Sequence, residues 1–150
     1  MSLFPENVNF LSTVRYIKGG RSAGNFVNFN LALHVNDKTD SVLENRSILK
    51  DYYELPSEPV WINQTHSSIC IDASLTERVM EADASFTLNS GTVCSILTAD
   101  CLPVFVSKKD GTMVGIAHAG WKGLISGVIE NLIEAFDCSG EELVVHLGPA

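Results

Sequence analysis

The chain has 150 residues, 45% hydrophobic and 19% charged, enough for one compact domain with its own core and too apolar for a disordered chain. Ten basic residues against 18 acids leave a net charge of −8, which excludes a broad basic surface for nonspecific nucleic acid binding. No apolar run reaches the roughly 18 residues of a membrane span, the N-terminus lacks a signal-peptide pattern, and Cys70, Cys94, Cys101 and Cys138 form no CxxC pair, so reduced thiols in a cytoplasmic protein are expected.

Residues 18–26, KGGRSAGNF, read as a glycine-rich loop without the spacing of a dinucleotide or P-loop motif. FNLALHV, residues 29–35, predicts a strand. A helix is predicted over 37–55, with Ser41 capping it, Glu44 three residues on, and Val42, Leu49 and Tyr52 near one face. PVWINQTHSSICI, residues 59–71, is β-rich with His66 near its middle, and 75–82 reads as a short helix. GTVCSILTA, residues 91–99, predicts an apolar strand. LPVFV and TMVGIA predict two more, joined by SKKDG, where Asp110-Gly111 signals a hairpin. One helix is predicted over 122–136, because Ile125, Val128, Ile129, Leu132, Ile133 and Phe136 fall at helical spacing. ELVVHL, residues 142–147, is the final predicted strand. With no internal repeat or linker, the pattern implies a single mixed α/β domain over 1–150.

The hairpin brings chemistry together. A turn at Lys109-Asp110 pairs residue 101 with 118; a turn at Asp110-Gly111 sets Cys101 opposite Gly120. In either register Cys101 and His118 lie at the open end of one hairpin, about 5–8 Å apart. A thiol and an imidazole so placed suit a metal, an activated nucleophile or a buried structural pair. Ala119, Gly120 and Gly123 keep the backbone bare, and Trp121 adds a flat wall. The predicted helix N-terminus, with Lys122 in its first turn, suits an anion. A metal needs a third ligand. His34, His66 and His146 are the candidates; His146 lies in an apolar strand, and spacing does not rank His66 against His34.

QTH at 64–66, ADA at 82–84, TADCLPV at 98–104, AHAGWKG at 117–123 and LGPA at 147–150 resemble the motifs of the YfiH family, also called the laccase-domain or polyphenol-oxidase-like family. GGRS, FNLALHVND and ENR add to the resemblance, which runs from Arg15 to Ala150. It implies an α/β (mixed α+β) layered sandwich of mixed β-sheet with flanking helices. It also implies a zinc centre held by His66, Cys101 and His118, and so singles out His66. The activities implied are phosphorolysis of adenosine, inosine, guanosine and methylthioadenosine, and deamination of adenosine. The partners implied are thus purine nucleosides and phosphate, with neither nucleic acid nor membrane. Family chains continue beyond LGPA, so a domain truncated at its C-terminal end is expected. QTHS stands where QVHG is usual, and Arg21 where an apolar residue is usual.

Zinc held by two imidazoles and a thiolate keeps a fourth position open. Asp100, with Asp83 as the alternative, is the candidate for moving protons. Arg15, Lys122 and the loop Gly19 to Asn25 are candidate phosphate donors, Ser22 and Asn30 candidate partners of substrate hydroxyls, and Trp121 a candidate purine stacker. The zinc-deaminase signature HxE with PCxxC is absent. Three rivals remain: a metal-independent cysteine hydrolase with Cys101 as nucleophile and His118 as base, an inactive nucleoside-binding fragment, and a copper-dependent polyphenol oxidase. The last lacks an evident axial methionine, since Met80 and Met113 lie in other segments.

Overall fold

The computed structural model describes residues 5–11, 29–76 and 78–150. Two compact units emerge, Leu11–Glu58 and Met1–Phe10 with Pro59–Ala150.

In the Leu11–Glu58 unit the predicted helix forms as α1, Thr39–Tyr52. Val42 and Leu49 are buried, whereas Tyr52 is exposed. Its start differs from expectation: Lys38 takes the N-cap position without a side-chain cap, Ser41 lies inside the first turn, and Asp40 supplies the favourable negative charge there. The expected strand at 29–35 does not form. Asn45 Nδ2 donates to the Asn30 carbonyl at 2.9 Å, and Arg46 Nε and Nη2 donate to the Leu31 carbonyl at 2.9 and 2.7 Å. Carbonyls that serve helix side chains are not paired with a neighbouring strand, and Phe29 at φ 56 breaks the extended run.

The other unit is built on a five-stranded mixed sheet. Its strands are β1 (Cys70–Asp72), β2 (Ala84–Thr87), β3 (Leu102–Lys108), β4 (Val114–Ala119) and β5 (Leu143–Leu147), in the order β1-β2-β4-β3-β5. Only β1 and β2 run parallel. The hairpin pairs Leu102 with Ala119 and Ser107 with Val114, which is the register of an Asp110-Gly111 turn. One face stacks Ala84, Val104, Val106, Ala117 and Ala119 against Val128, Leu132 and Phe136. The other face sets Phe105 and Ile116 against Val8, Cys94, Ile96 and Val144.

The helix expected over 122–136 is two helices, α2 (Trp121–Ser126) and α3 (Val128–Ala135). Gly127 separates them at φ 89, a conformation that glycine adopts without a Cβ clash. The break re-aims the apolar stripe: Val128, Leu132 and Phe136 enter the core, while Ile125 is left 80% exposed. Residues 91–99 contribute one isolated bridge, Cys94 with Val60, instead of a strand. Their backbone serves side chains instead: Gln64 Nε2 donates to the Leu97 carbonyl and its Oε1 accepts from Leu97 N–H, both at 2.7 Å, and Ser95 Oγ donates to the Val60 carbonyl. Within 59–71 only bridges at Val60 and Asn63 and strand β1 form. The helix expected at 75–82 is absent among its described residues; the nearest helical turn is a 3-10 turn at Ala73–Leu75, with Asp72 accepting from Ser74 N–H. β2 was not anticipated, because its short ASFT run shows no clear alternation.

Candidate metal centre

The hairpin register fixes two of the three expected ligands. β4 carries His118, 4% exposed, to within one residue of its end, and Cys101 immediately precedes β3. The backbone N–H of His118 donates to the Asp83 carbonyl at 2.7 Å, tying β4 to the residue before β2. His66 arrives from the irregular segment after the Asn63 bridge, with its backbone in the left-handed region at φ 61.

The three side chains converge. Cys101 Sγ lies 3.8 Å from His66 Nε2, and the rings of His66 and His118 meet edge to face at 4.8 Å between centroids. One ligand atom from each residue lies within 4.8 Å of the others. Four-coordinate zinc with bonds of about 2.0–2.3 Å sets its ligand atoms roughly 3.3–3.8 Å apart, so the trio fits such an ion after a small contraction. The donor chemistry fits as well, since thiolate and imidazole are both ordinary zinc ligands and three protein ligands leave a fourth position open. Gly120 permits the approach: a Cβ there would stand 2.7 Å from His66 Cδ2 and 3.0 Å from Cys101 Sγ. His118 is buried, Cys101 half-buried and His66 exposed, so the cluster opens to solvent on one side. An open pocket of about 420 Å³ there is lined by His66, Asp100, Cys101, Gly120 and Trp121, among others.

Asp83 lies beneath the cluster, fully buried. Its Oδ2 accepts from His118 Nδ1 at 2.8 Å and from the His66 N–H at 3.1 Å. Its Oδ1 accepts from the N–H groups of Thr65 (3.1 Å) and Ser67 (2.6 Å) and from Ser67 Oγ at 2.8 Å. Burial works to raise this carboxyl, but the bonds from His118, Ser67 and Thr65 outweigh it and hold it below the ordinary value. Cys101 is shifted the other way. Loss of solvent first, then the Asp100 carboxylate, raise its thiol above the usual cysteine value.

The sequence and the fold have known counterparts. Residues 11–150 match the family model described as multi-copper polyphenol oxidoreductase laccase. The chain belongs to this family. Over 97% of its length it is 38% identical to the purine nucleoside phosphorylase of Haemophilus influenzae and 40% identical to the purine nucleoside phosphorylase YfiH of Escherichia coli. It covers 59% and 60% of those proteins, and so spans about three-fifths of the length of the curated relatives it matches. Among solved structures, Neisseria meningitidis protein NMB0706 superposes with a TM-score of 0.80 at 39% identity, covering 88% of this chain and 54% of that one. YlmD from Geobacillus stearothermophilus gives 0.79 at 26% identity with the same coverage. The mixed α/β fold expected from the family resemblance is thereby shown.

Within this family member the remaining expected site residues fall in different places. Asp100 is exposed, its Oδ1 3.9 Å from Cys101 Sγ. Trp121 is 68% exposed on the pocket wall, with Lys122 Nζ 5.6 Å from its ring centroid. α2 is only six residues long, so its dipole offers an anion less than the long helix expected there. Asn30 belongs to the Leu11–Glu58 unit, where its Nδ2 donates to Asp37 Oδ2 and the Ala32 carbonyl and its Oδ1 accepts from Ala32 N–H. Arg15, Ser22, Arg21 and the loop from Gly19 to Asn25 lie outside the described residues. His34 is exposed in the Leu11–Glu58 unit, and His146 packs on Phe10 at 4.8 Å in β5. Sequence reasoning passed over Gln64 and underused Asp83. The signal for Asp83 was an acid between two alanines before a β run, a position that burial makes costly unless the carboxylate is fully bonded.

Among the described residues, no helix is long and apolar enough to cross a membrane.

Proposed function

We propose that this chain carries the metal centre of a cytoplasmic, zinc-dependent purine nucleoside enzyme. Its reactions are phosphorolysis of adenosine, inosine, guanosine and methylthioadenosine and deamination of adenosine. The observation that carries the reading is the convergence of His66, Cys101 and His118 at an open pocket walled by Trp121. The names of the relatives support phosphorolysis as the reaction.

His66, Cys101 and His118 would hold the zinc ion, which supplies Lewis acidity at the mouth of the pocket when bound. The exposed face of Trp121 suits a purine ring. Asp100, exposed beside Cys101, is the group for holding or passing a proton at its carboxylate oxygens. Lys122, whose Nζ lies 5.6 Å from the Trp121 ring centroid, is the positive charge offered to phosphate.

A metal-free hydrolase would need Cys101 as a thiolate at neutral pH, a form that loss of solvent and then the Asp100 carboxylate disfavour. A cation between the ligands reverses that balance, because it favours the thiolate. Copper is less well supported. The chain has four histidines, and two of them reach the cluster. Met113 is buried in the core and Met80 lines a separate pocket with Ile71 and Arg78, so neither supports an axial ligand.

The test is phosphate-dependent release of hypoxanthine from inosine and of ammonia from adenosine, with zinc measured on the same sample. Turnover with one zinc per chain, both lost in Cys101→Ala, is the expected result. Turnover that survives metal removal but not the substitution would transfer the site to a cysteine nucleophile. Zinc with nucleoside binding and no turnover would make this chain a binding module.

A further inference from the structure

Asp83 reaches both histidines of the cluster by different routes. To His118 it bonds through the ring, and to His66 through the backbone N–H. A carboxylate only accepts hydrogen bonds, so the shared hydrogen sits on His118 Nδ1, and Nε2 is the ring nitrogen turned to the cluster in that tautomer. His66 stands in the left-handed region at φ 61, uncommon for a residue other than glycine although histidine adopts it more readily than most. The N–H groups of Thr65, His66 and Ser67 all converge on the same carboxylate and hold the chain in that conformation. With Ser67 Oγ and the His118 ring, Asp83 accepts five hydrogen bonds. A carboxylate offers about four lone-pair sites, so none is left to serve substrate. Full burial removes it from the pocket as well.

We propose that Asp83 is a positioning residue that sets both histidine ligands at once, fixing the His118 tautomer and the backbone of His66. The proposal rests on the metal-centre reading for its functional consequence, but not for its geometry. An ordinary loop anchor would need only the Thr65 and Ser67 bonds. The additional bonds to the two ligands distinguish Asp83 from one, because they couple ring orientation on β4 to chain direction at residue 66. Outer partners of this kind commonly change metal affinity 10–100-fold when removed.

The test is nitrogen NMR of histidine-labelled protein without metal, followed by competition titration with zinc. In the unsubstituted chain His118 is expected to carry its hydrogen on Nδ1. Asp83→Asn presents an amide that cannot accept at both positions, so the His118 signature is expected to change and the zinc dissociation constant to rise roughly 10–100-fold. Ser67→Ala, which removes one Asp83 contact but neither ligand's, is expected to keep the tautomer and to shift affinity less than about threefold. His118 carrying its hydrogen on Nε2 in the unsubstituted chain would overturn the proposal, and that spectrum decides the matter even if Asp83→Asn does not fold. Folded Asp83→Asn with an unchanged tautomer and unchanged zinc affinity would also overturn it. An unsubstituted chain that binds no zinc would defeat the metal-centre reading instead, while the tautomer comparison would still decide the role of Asp83.

Discussion

The β3–β4 hairpin and the segment 59–69 deliver ligands to the same cluster by different means. The hairpin uses a regular ladder backed by α3, so His118 and Cys101 are placed by register and core packing. The segment has two isolated bridges, the Gln64 clasp on Leu97 and the Asp83 bonds at 65–67, so His66 is placed by side chains reaching for backbone. A ladder spreads its stability over many equivalent bonds. A segment held by a few buried polar groups concentrates it, and losing one leaves its partner unsatisfied at a cost of about 1–3 kcal/mol.

The largest effect should come from the hairpin's support. Leu132→Ala empties a fully buried position of α3 and should cost about 2–5 kcal/mol in urea unfolding. Gln64→Ala should cost about 1–3 kcal/mol, with loss concentrated in the segment. Hydrogen exchange should then quicken at Val60 and Asn63 while β3 and β4 keep their protection; equal loss in both regions would erase the contrast. Gly120→Ala acts where the two regions meet. Its methyl group would press His66 away from Cys101, lowering zinc affinity on the order of tenfold while leaving the unfolding midpoint nearly unchanged.

A further effect is alkaline. Burial, then the neighbouring Cys94, pushes the Cys70 thiol up to about 12. Burial, offset in part by the nearby Ser85 hydroxyl, raises Cys94 to about 11, with Asp72 adding to the rise. Raised thiols contribute stability that is complete below the ordinary value of 9.0 and lost as pH climbs from there through about 11 and 12. The urea midpoint should therefore fall between pH 8 and pH 10, and fall less in Cys94→Ala.

The same contrast explains what could be read from the sequence. The hairpin, β5 and α1 were legible because apolar periodicity and a turn signal determine them, and they carried the juxtaposition of Cys101 and His118. The split at Gly127 was hidden by an apolar pattern that runs through it, although of that stripe Val128, Leu132 and Phe136 are buried in the core, with Ile129 half-buried beside them. His66 could not be chosen over His34 by spacing, because its position depends on Asp83 and on a left-handed backbone that no local pattern announces. Family motifs supplied that choice. The strand expected at 29–35 failed because Asn45 and Arg46, both on α1, take its carbonyls, a contact between segments fifteen residues apart.

The most direct measurement is X-ray absorption at the zinc edge on purified protein with its metal counted. One ion per chain, surrounded by one sulfur at about 2.3 Å and two imidazole nitrogens at about 2.0–2.1 Å, is predicted. An ion bound only by oxygen and nitrogen, or a chain that retains no metal when zinc is supplied, would contradict the assignment of His66, Cys101 and His118 as a single metal centre.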